Sequence, residues 1–172
     1  MTKIKRFSIK IDGKSIEIKT ASNFTVAEYI EANKLFVSDK GALDMLMTLI
    51  SVGSNTDREK LQNVEIEAHN LNRISHFVGN LIQPKQIVPI DQFYHKVTGK
   101  TIYANKVTGI TFGIRSAVEK FKADTSFEQM VYLLAILIKG TSNVSQIKEV
   151  YDELQTYNYI DVFGFVYFFF KK

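Results

Sequence analysis

The sequence predicts an α+β fold, mainly α: an N-terminal β-hairpin followed by a bundle of about six helices, with an irregular segment in the middle. Three observations carry that expectation. Residues 7–18 alternate apolar with polar around Asp12-Gly13; most of the remaining chain repeats apolar residues at spacings of three and four; and Pro84 and Pro89 interrupt that repeat. The domain reading follows from the interruption. Residues 1–83 are expected to hold the hairpin and its helices, 84–109 a loop, extended linker or edge hairpin, and 110–172 a helical core that forms one compact unit with 1–83.

In the hairpin, Phe7, Ile9 and Ile11 alternate with Arg6, Ser8 and Lys10, and Ile16 and Ile18 alternate after Asp12-Gly13. A two-residue turn there pairs Ile11 with Lys14, which sets Ile9 opposite Ile16 and Phe7 opposite Ile18. All four apolar partners then share one face, and that face must lie on something else, because an isolated hairpin is marginal in water.

Thr25 and Glu28 form a capping box for a helix reaching about Phe36, with Val26, Tyr29 and Ile30 on one side. Ser38 or Asp39 is expected to cap a short helix carrying Leu43, Leu46, Leu49 and Ile50, ended by Gly53-Ser54-Asn55. Thr56 and Glu59 suggest a second box. Leu61, Val64, Ala68, Leu71, Ile74, Val78 and Leu81 then predict the longest helix, from Asp57 to Ile82, about 39 Å. Ile102 and Tyr103 are candidates for an edge strand. Beyond Thr111, Phe112, Ala117, Val118 and Phe121 predict a helix. A third box, Thr125 and Glu128, opens a helix to Lys139 that is apolar nearly all round and is expected at the centre of the core. Gly140 suits its C-terminal cap. The next helix turns Val144, Ile147, Tyr151 and Leu154 inward and Lys148, Glu149, Asp152 and Glu153 to water. A last one begins near Asp161.

Composition excludes several classes. A chain of 172 residues with 45% hydrophobic and 23% charged content suits one globular domain. The apolar run from Val162 to Phe170 is about half the ~20 residues a membrane span needs, so no span is expected. Met1-Thr2-Lys3-Ile4-Lys5-Arg6 leads into the alternation without an apolar leader region, so synthesis in the cytoplasm is expected. Cysteine is absent, which excludes disulfides, thiolate nucleophiles and Cys-ligated zinc. The net charge of +4 rests on 18 Lys against four Arg, dispersed apart from Lys3-Lys5-Arg6 and the last two residues. Dispersed lysine solubilises more than it reads phosphates, so nucleic-acid binding through the N-terminal lysines is a secondary reading.

No catalytic, cofactor or metal site is expected. Val97-Thr98-Gly99-Lys100-Thr101 ends like a phosphate loop, but Tyr94 stands where its first glycine belongs, which favours a glycine turn beside a lysine. His69 and His76 rise about 10.5 Å apart along one helix, too far to share an ion. His95 stands alone in the expected loop. No nucleophile elbow accompanies any Ser, and Asp152 and Glu153 are adjacent rather than opposed. The candidate functional surface is the C-terminal stretch, because nine of the chain's 21 aromatic residues fall between Tyr151 and Phe170. Phe163, Val166, Tyr167 and Phe170 make one stripe, whereas Phe165, Phe168 and Phe169 fall away from it. A helix apolar on both sides is either deeply buried or covered by a second surface. Phe163, Phe165, Tyr167, Phe168, Phe169 and Phe170 are therefore the expected protein interface.

Ile110-Thr111-Phe112-Gly113, Tyr132-Leu133-Leu134-Ala135-Ile136-Leu137-Ile138, Tyr151-Asp152-Glu153-Leu154 and the run from Val162 to Phe170 resemble, in order and spacing, a pattern in small proteins of tailed bacteriophages, including crAss-like phages. The resemblance covers the last part of the chain, from Ile110 onward. It implies a non-enzymatic virion structural or accessory protein of the portal or neck, tail, capsid or packaged cargo. Such a protein works through contacts with other virion proteins, as a homo-oligomer, and resides in the virion after synthesis in the bacterial cytoplasm. A tail-assembly chaperone and a nucleic-acid-binding accessory protein are the alternatives.

Overall fold

The computed structural model describes residues 6–11, 13–20, 23–37, 41–62, 66, 68–82, 91–96, 99–103 and 112–170; the side chains of residues 6, 7, 9, 11, 35–37, 42, 68, 77–82 and 167–170 are outside the description. It is α+β and mainly α, with two antiparallel hairpins and eight helices among the described residues. The chain divides into two compact units, Met1–Gln86 and Ile87–Lys172. The break expected at Pro84 and Pro89 lies outside the described residues.

In the first unit, β1 (Arg6–Ile11) and β2 (Lys14–Lys19) pair in the expected register, Ile11 with Lys14, Ile9 with Ile16 and Phe7 with Ile18. Gly13 takes φ +73°, the left-handed conformation that a two-residue hairpin turn demands and that glycine adopts without a Cβ clash. The hairpin lies on helix α2 (Ala42–Ser54), where Ile18 is buried. Gly53 makes that approach possible: a Cβ built on it would sit 2.5 Å from Ile18 Cγ2. The helix ends within the expected Gly53-Ser54-Asn55 cluster, at Asn55, whose φ is 53°.

Helix α1 (Val26–Val37) opens on the expected box, with the Thr25 amide donating to Glu28 Oε2 at 2.8 Å and the Glu28 amide donating to Thr25 Oγ1 at 3.3 Å. Glu28 also pairs with Lys19, tying β2 to α1. Val26, Tyr29, Ile30 and Ala32 bury one side of α1, beside Phe24. The expected caps Ser38 and Asp39 lie outside the described residues; α2 begins after Gly41 with no side-chain cap.

The single helix expected from Asp57 to Ile82 is two. Helix α3 (Arg58–Leu61) is capped by Asp57 rather than Thr56, and α4 (Ala68–Ile82) begins anew. Between them Ile66 sits in an isolated β-bridge, a backbone geometry incompatible with a continuous helical ladder. Arg58 pairs with Asp44 and donates to Thr48 Oγ1 at 3.2 Å, fastening α3 to α2. Arg73 of α4 donates to the Ser8 carbonyl at 3.0 Å.

In the second unit, β3 (Gln92–His95) and β4 (Lys100–Tyr103) form a hairpin turned at Gly99, whose φ is +62°. The Gly-Lys-Thr sequence is thus a turn leading into a strand. Helix α5 (Phe112–Lys120) buries Ala117, and Phe121 just beyond it stacks on Tyr132 with centroids 3.8 Å apart. Helix α6 (Ser126–Lys139) buries every residue from Val131 to Ile136, as expected of a central helix. Thr125 caps it at 3.1 Å from the Glu128 amide, and Gly140 closes it in the left-handed conformation. Glu128 reaches the Asp124 amide instead of Thr125, and its other oxygen accepts from Tyr151 at 3.0 Å. Burial, followed by the Glu128 carboxylate, drives the Tyr151 phenol well above its ordinary range.

Helix α7 (Val144–Leu154) packs Ile147, Val150, Tyr151 and Leu154 inward against α6. Two expectations about it need correction. Val144 is exposed rather than inward, because it is the first residue after the Asn143 cap, and Glu153 is half-buried rather than solvent-facing. The last helix, α8 (Tyr159–Phe170), packs on both α6 and β3.

Candidate functional site

Helix α8 was the expected interface, and Phe165 corrects that expectation. Its ring is 1% exposed and lies 5.7 Å, centroid to centroid, from Phe93 of β3. Phe163 is half-buried and stacks on Phe127 of α6 at 5.3 Å. Two sides of α8 are thus covered by different elements of its own unit, which is why a helix apolar on both sides needs no second chain at Phe165. The side chains of Tyr167, Phe168, Phe169 and Phe170 lie outside the description.

The β3–β4 hairpin explains both what α8 packs against and what the unit leaves in solvent. Register pairs Gln92 with Tyr103, Phe93 with Ile102, Tyr94 with Thr101 and His95 with Lys100. Residues opposite each other share a face, and successive residues alternate. Phe93 and His95 therefore turn inward, both buried, and Gln92, Tyr94, Thr101 and Tyr103 turn outward. Tyr94 is 56% exposed and Tyr103 39%. They are diagonal neighbours on the outer face. Elsewhere in the unit, Phe112 at the start of α5 is 89% exposed, against the expectation that it clusters with Ala117 and Phe121. It is the first residue of the helix, a turn short of the buried face.

On the inner face, His95 is completely buried. Its Nε2 lies 3.0 Å from Glu153 Oε2, and Glu153 Oε1 accepts from the Tyr157 hydroxyl at 3.2 Å. The same hydroxyl accepts from the Lys96 amide at 2.9 Å, so the polar chain leaves the hairpin at His95 and returns to it at the next residue. The Tyr157 ring stacks on the imidazole at 5.9 Å and meets Phe93 at 5.7 Å. Burial lowers the His95 pKa from its ordinary 6.5, and the Glu153 carboxylate opposes that in part. Burial raises the Tyr157 phenol, helped by Glu153 and opposed by the Lys96 amide.

A His-Glu-Tyr chain has the parts of a proton relay. Here the imidazole has no exposed surface, and the cluster links β3 to α7 and the turn that follows it. His69 and His76 are both exposed on α4. No group of three His, Asp or Glu residues among the described residues is arranged to hold a metal ion. Sequence reasoning missed His95, Glu153, Tyr157 and Tyr94. The available signal was the alternation through Gln92-Phe93-Tyr94-His95 closed by Gly99, four residues long and easily lost beside a phosphate-loop reading.

Comparison of the chain with protein-family models, with curated proteins and with solved structures gives no match.

Proposed function

We propose that this chain is a non-enzymatic protein-binding component, of the virion structural or accessory type that the sequence resemblance implies, and that it works through the outer face of the β3–β4 hairpin. The observation that carries the reading is the pair Tyr94 and Tyr103, held outward in solvent while Phe93 and His95 anchor the reverse side. Tyrosine supplies a large contact area at low entropic cost and is enriched at interfaces. A hairpin pinned from behind presents those rings without the ordering penalty a free loop would incur.

The test is assembly. Light scattering is expected to show wild-type protein above the 19.7 kDa of a single chain, and Tyr94→Ser/Tyr103→Ser to shift it toward that mass with unchanged circular dichroism. Mass spectrometry is expected to find the wild-type chain in purified virions and the double variant depleted from them. A wild-type chain that stays monomeric and is missing from virions overturns the reading.

A further inference from the structure

We infer that the His95–Glu153–Tyr157 cluster is a proton-sensitive latch: neutral His95 holds the β3–β4 hairpin on its unit, and acidification releases the hairpin and with it the Tyr94–Tyr103 face. The inference rests on the reading of that face as the contact surface and adds its regulation.

The geometry is that of a latch. At one end of β3 the buried His95 ring stacks on Tyr157 with its Nε2 3.0 Å from Glu153 Oε2, and the Lys96 amide donates to the Tyr157 hydroxyl. Two residues away, the anchor is the apolar Phe93, between Phe165 and Tyr157. Only the first end carries a proton that can be gained near neutral pH.

The surroundings decide which way the proton acts. An imidazolium at this fully buried position loses its hydration, which disfavours the charged form. On the hairpin itself, Lys100 stands across from His95 in the register and Lys96 follows it, and both are exposed. Glu153 and Tyr157 face it from α7 and the turn beyond. The Glu153 carboxylate lies against the ring; it is shared with the Tyr157 hydroxyl and keeps 21% of its side chain in solvent, where screening weakens its hold. Glu149 and Asp152 lie on the exposed side of α7. From α8, Phe165 packs on Phe93, the other inward residue of β3, and Asp161 is exposed.

The sign follows. A released hairpin exposes His95, which then takes up its proton at the ordinary 6.5, whereas the closed form resists it. The closed form is fully favoured above that pH and loses ground as pH falls below it, until the closed form too is protonated. The closed-to-released ratio changes by up to about tenfold for each unit separating the two values.

Hydrogen exchange on the full chain tests this from about pH 7.5 to about pH 5, corrected for intrinsic exchange rates. Amides of Gln92–His95 and Lys100–Tyr103 are expected to lose protection on acidification, while the His95 ring titrates by NMR below 6.5. In His95→Gln, which cannot gain the charge, hairpin protection is expected to stay flat over the same range. Glu153→Gln removes the compensating carboxylate and is expected to make the loss larger. If wild-type protection is flat, if His95 titrates at or above 6.5, or if His95→Gln shows the same loss, the latch is overturned. Hairpin release without any change in self-association or virion incorporation leaves the latch standing and overturns the contact-face reading instead.

Discussion

Each unit of this protein has to hold down a two-stranded hairpin that would not persist alone, and the two do it with different chemistry. In the first, Ile18 of β2 fits against helix α2 where Gly53 has no side chain, and the polar ties, Lys19 with Glu28 and Arg73 with the Ser8 carbonyl, include no histidine. In the second, Phe93 supplies the dry half and a buried histidine, a glutamate and a tyrosine supply the other. A dry contact depends on shape. A buried polar contact depends on charge state as well, so the second hairpin answers to pH through a group that the first fastening lacks.

The largest way to break the comparison is Phe165→Ala, which removes the ring that backs Phe93. A loss of about 3–5 kcal/mol is expected for the second unit by urea denaturation, with hydrogen exchange reporting each unit separately. A loss below about 1 kcal/mol would mean the ring is not part of the core.

Gly53→Ala probes the dry side. The new Cβ cannot coexist with Ile18, so a cost of about 1–3 kcal/mol is expected in the first unit. In an Ile18→Ala background the same substitution is expected to cost measurably less, because the clashing methyl is gone. Additivity of the two would show that the close approach is not what Gly53 provides.

Two helix caps give a smaller, sharper contrast. Thr25→Ala and Thr125→Ala are each expected to cost about 1 kcal/mol. Removing Thr25 also leaves Glu28 bonded to the residue 25 amide and paired with Lys19, whereas removing Thr125 leaves Glu128 on Asp124 and Tyr151. The loss of amide protection should therefore stay local to the first turn in both. Spread of the loss into α7 in the Thr125 variant would show that the cap also positions the carboxylate for Tyr151. The smallest expected effect is on stability against pH: with His95 held below 6.5 by burial, the second unit is at full strength above that value and weakens as pH drops through it.

What could be read ahead of the structure depended on how far apart in sequence the deciding residues lie. The β1–β2 register was legible because Asp12-Gly13 and the alternation of Phe7, Ile9, Ile16 and Ile18 agree within a dozen residues. The caps at Thr25 and Thr125 were legible for the same reason. The long helix failed at Ile66, where a β-bridge outside the helical pattern overrode a good apolar periodicity. Phe112 failed because periodicity names a face without saying where that face begins to be covered. Of the expected aromatic interface, Phe165 belongs to the core; the outward tyrosines came from a short strand pair that periodicity barely registers.

Hydrogen bonding between near neighbours and the spacing of apolar residues determined the mainly helical α+β class, the first hairpin's register and the central place of α6. Tertiary structure alone decided which side of α8 is covered, that Glu153 leaves the solvent face of its helix, and that His95 is sealed. The physical reason is that these outcomes depend on groups such as the Lys96 amide and the Tyr157 hydroxyl, 61 residues apart along the chain and 2.9 Å apart in space. No local pattern encodes an encounter at that separation; it exists only once the helices between have packed.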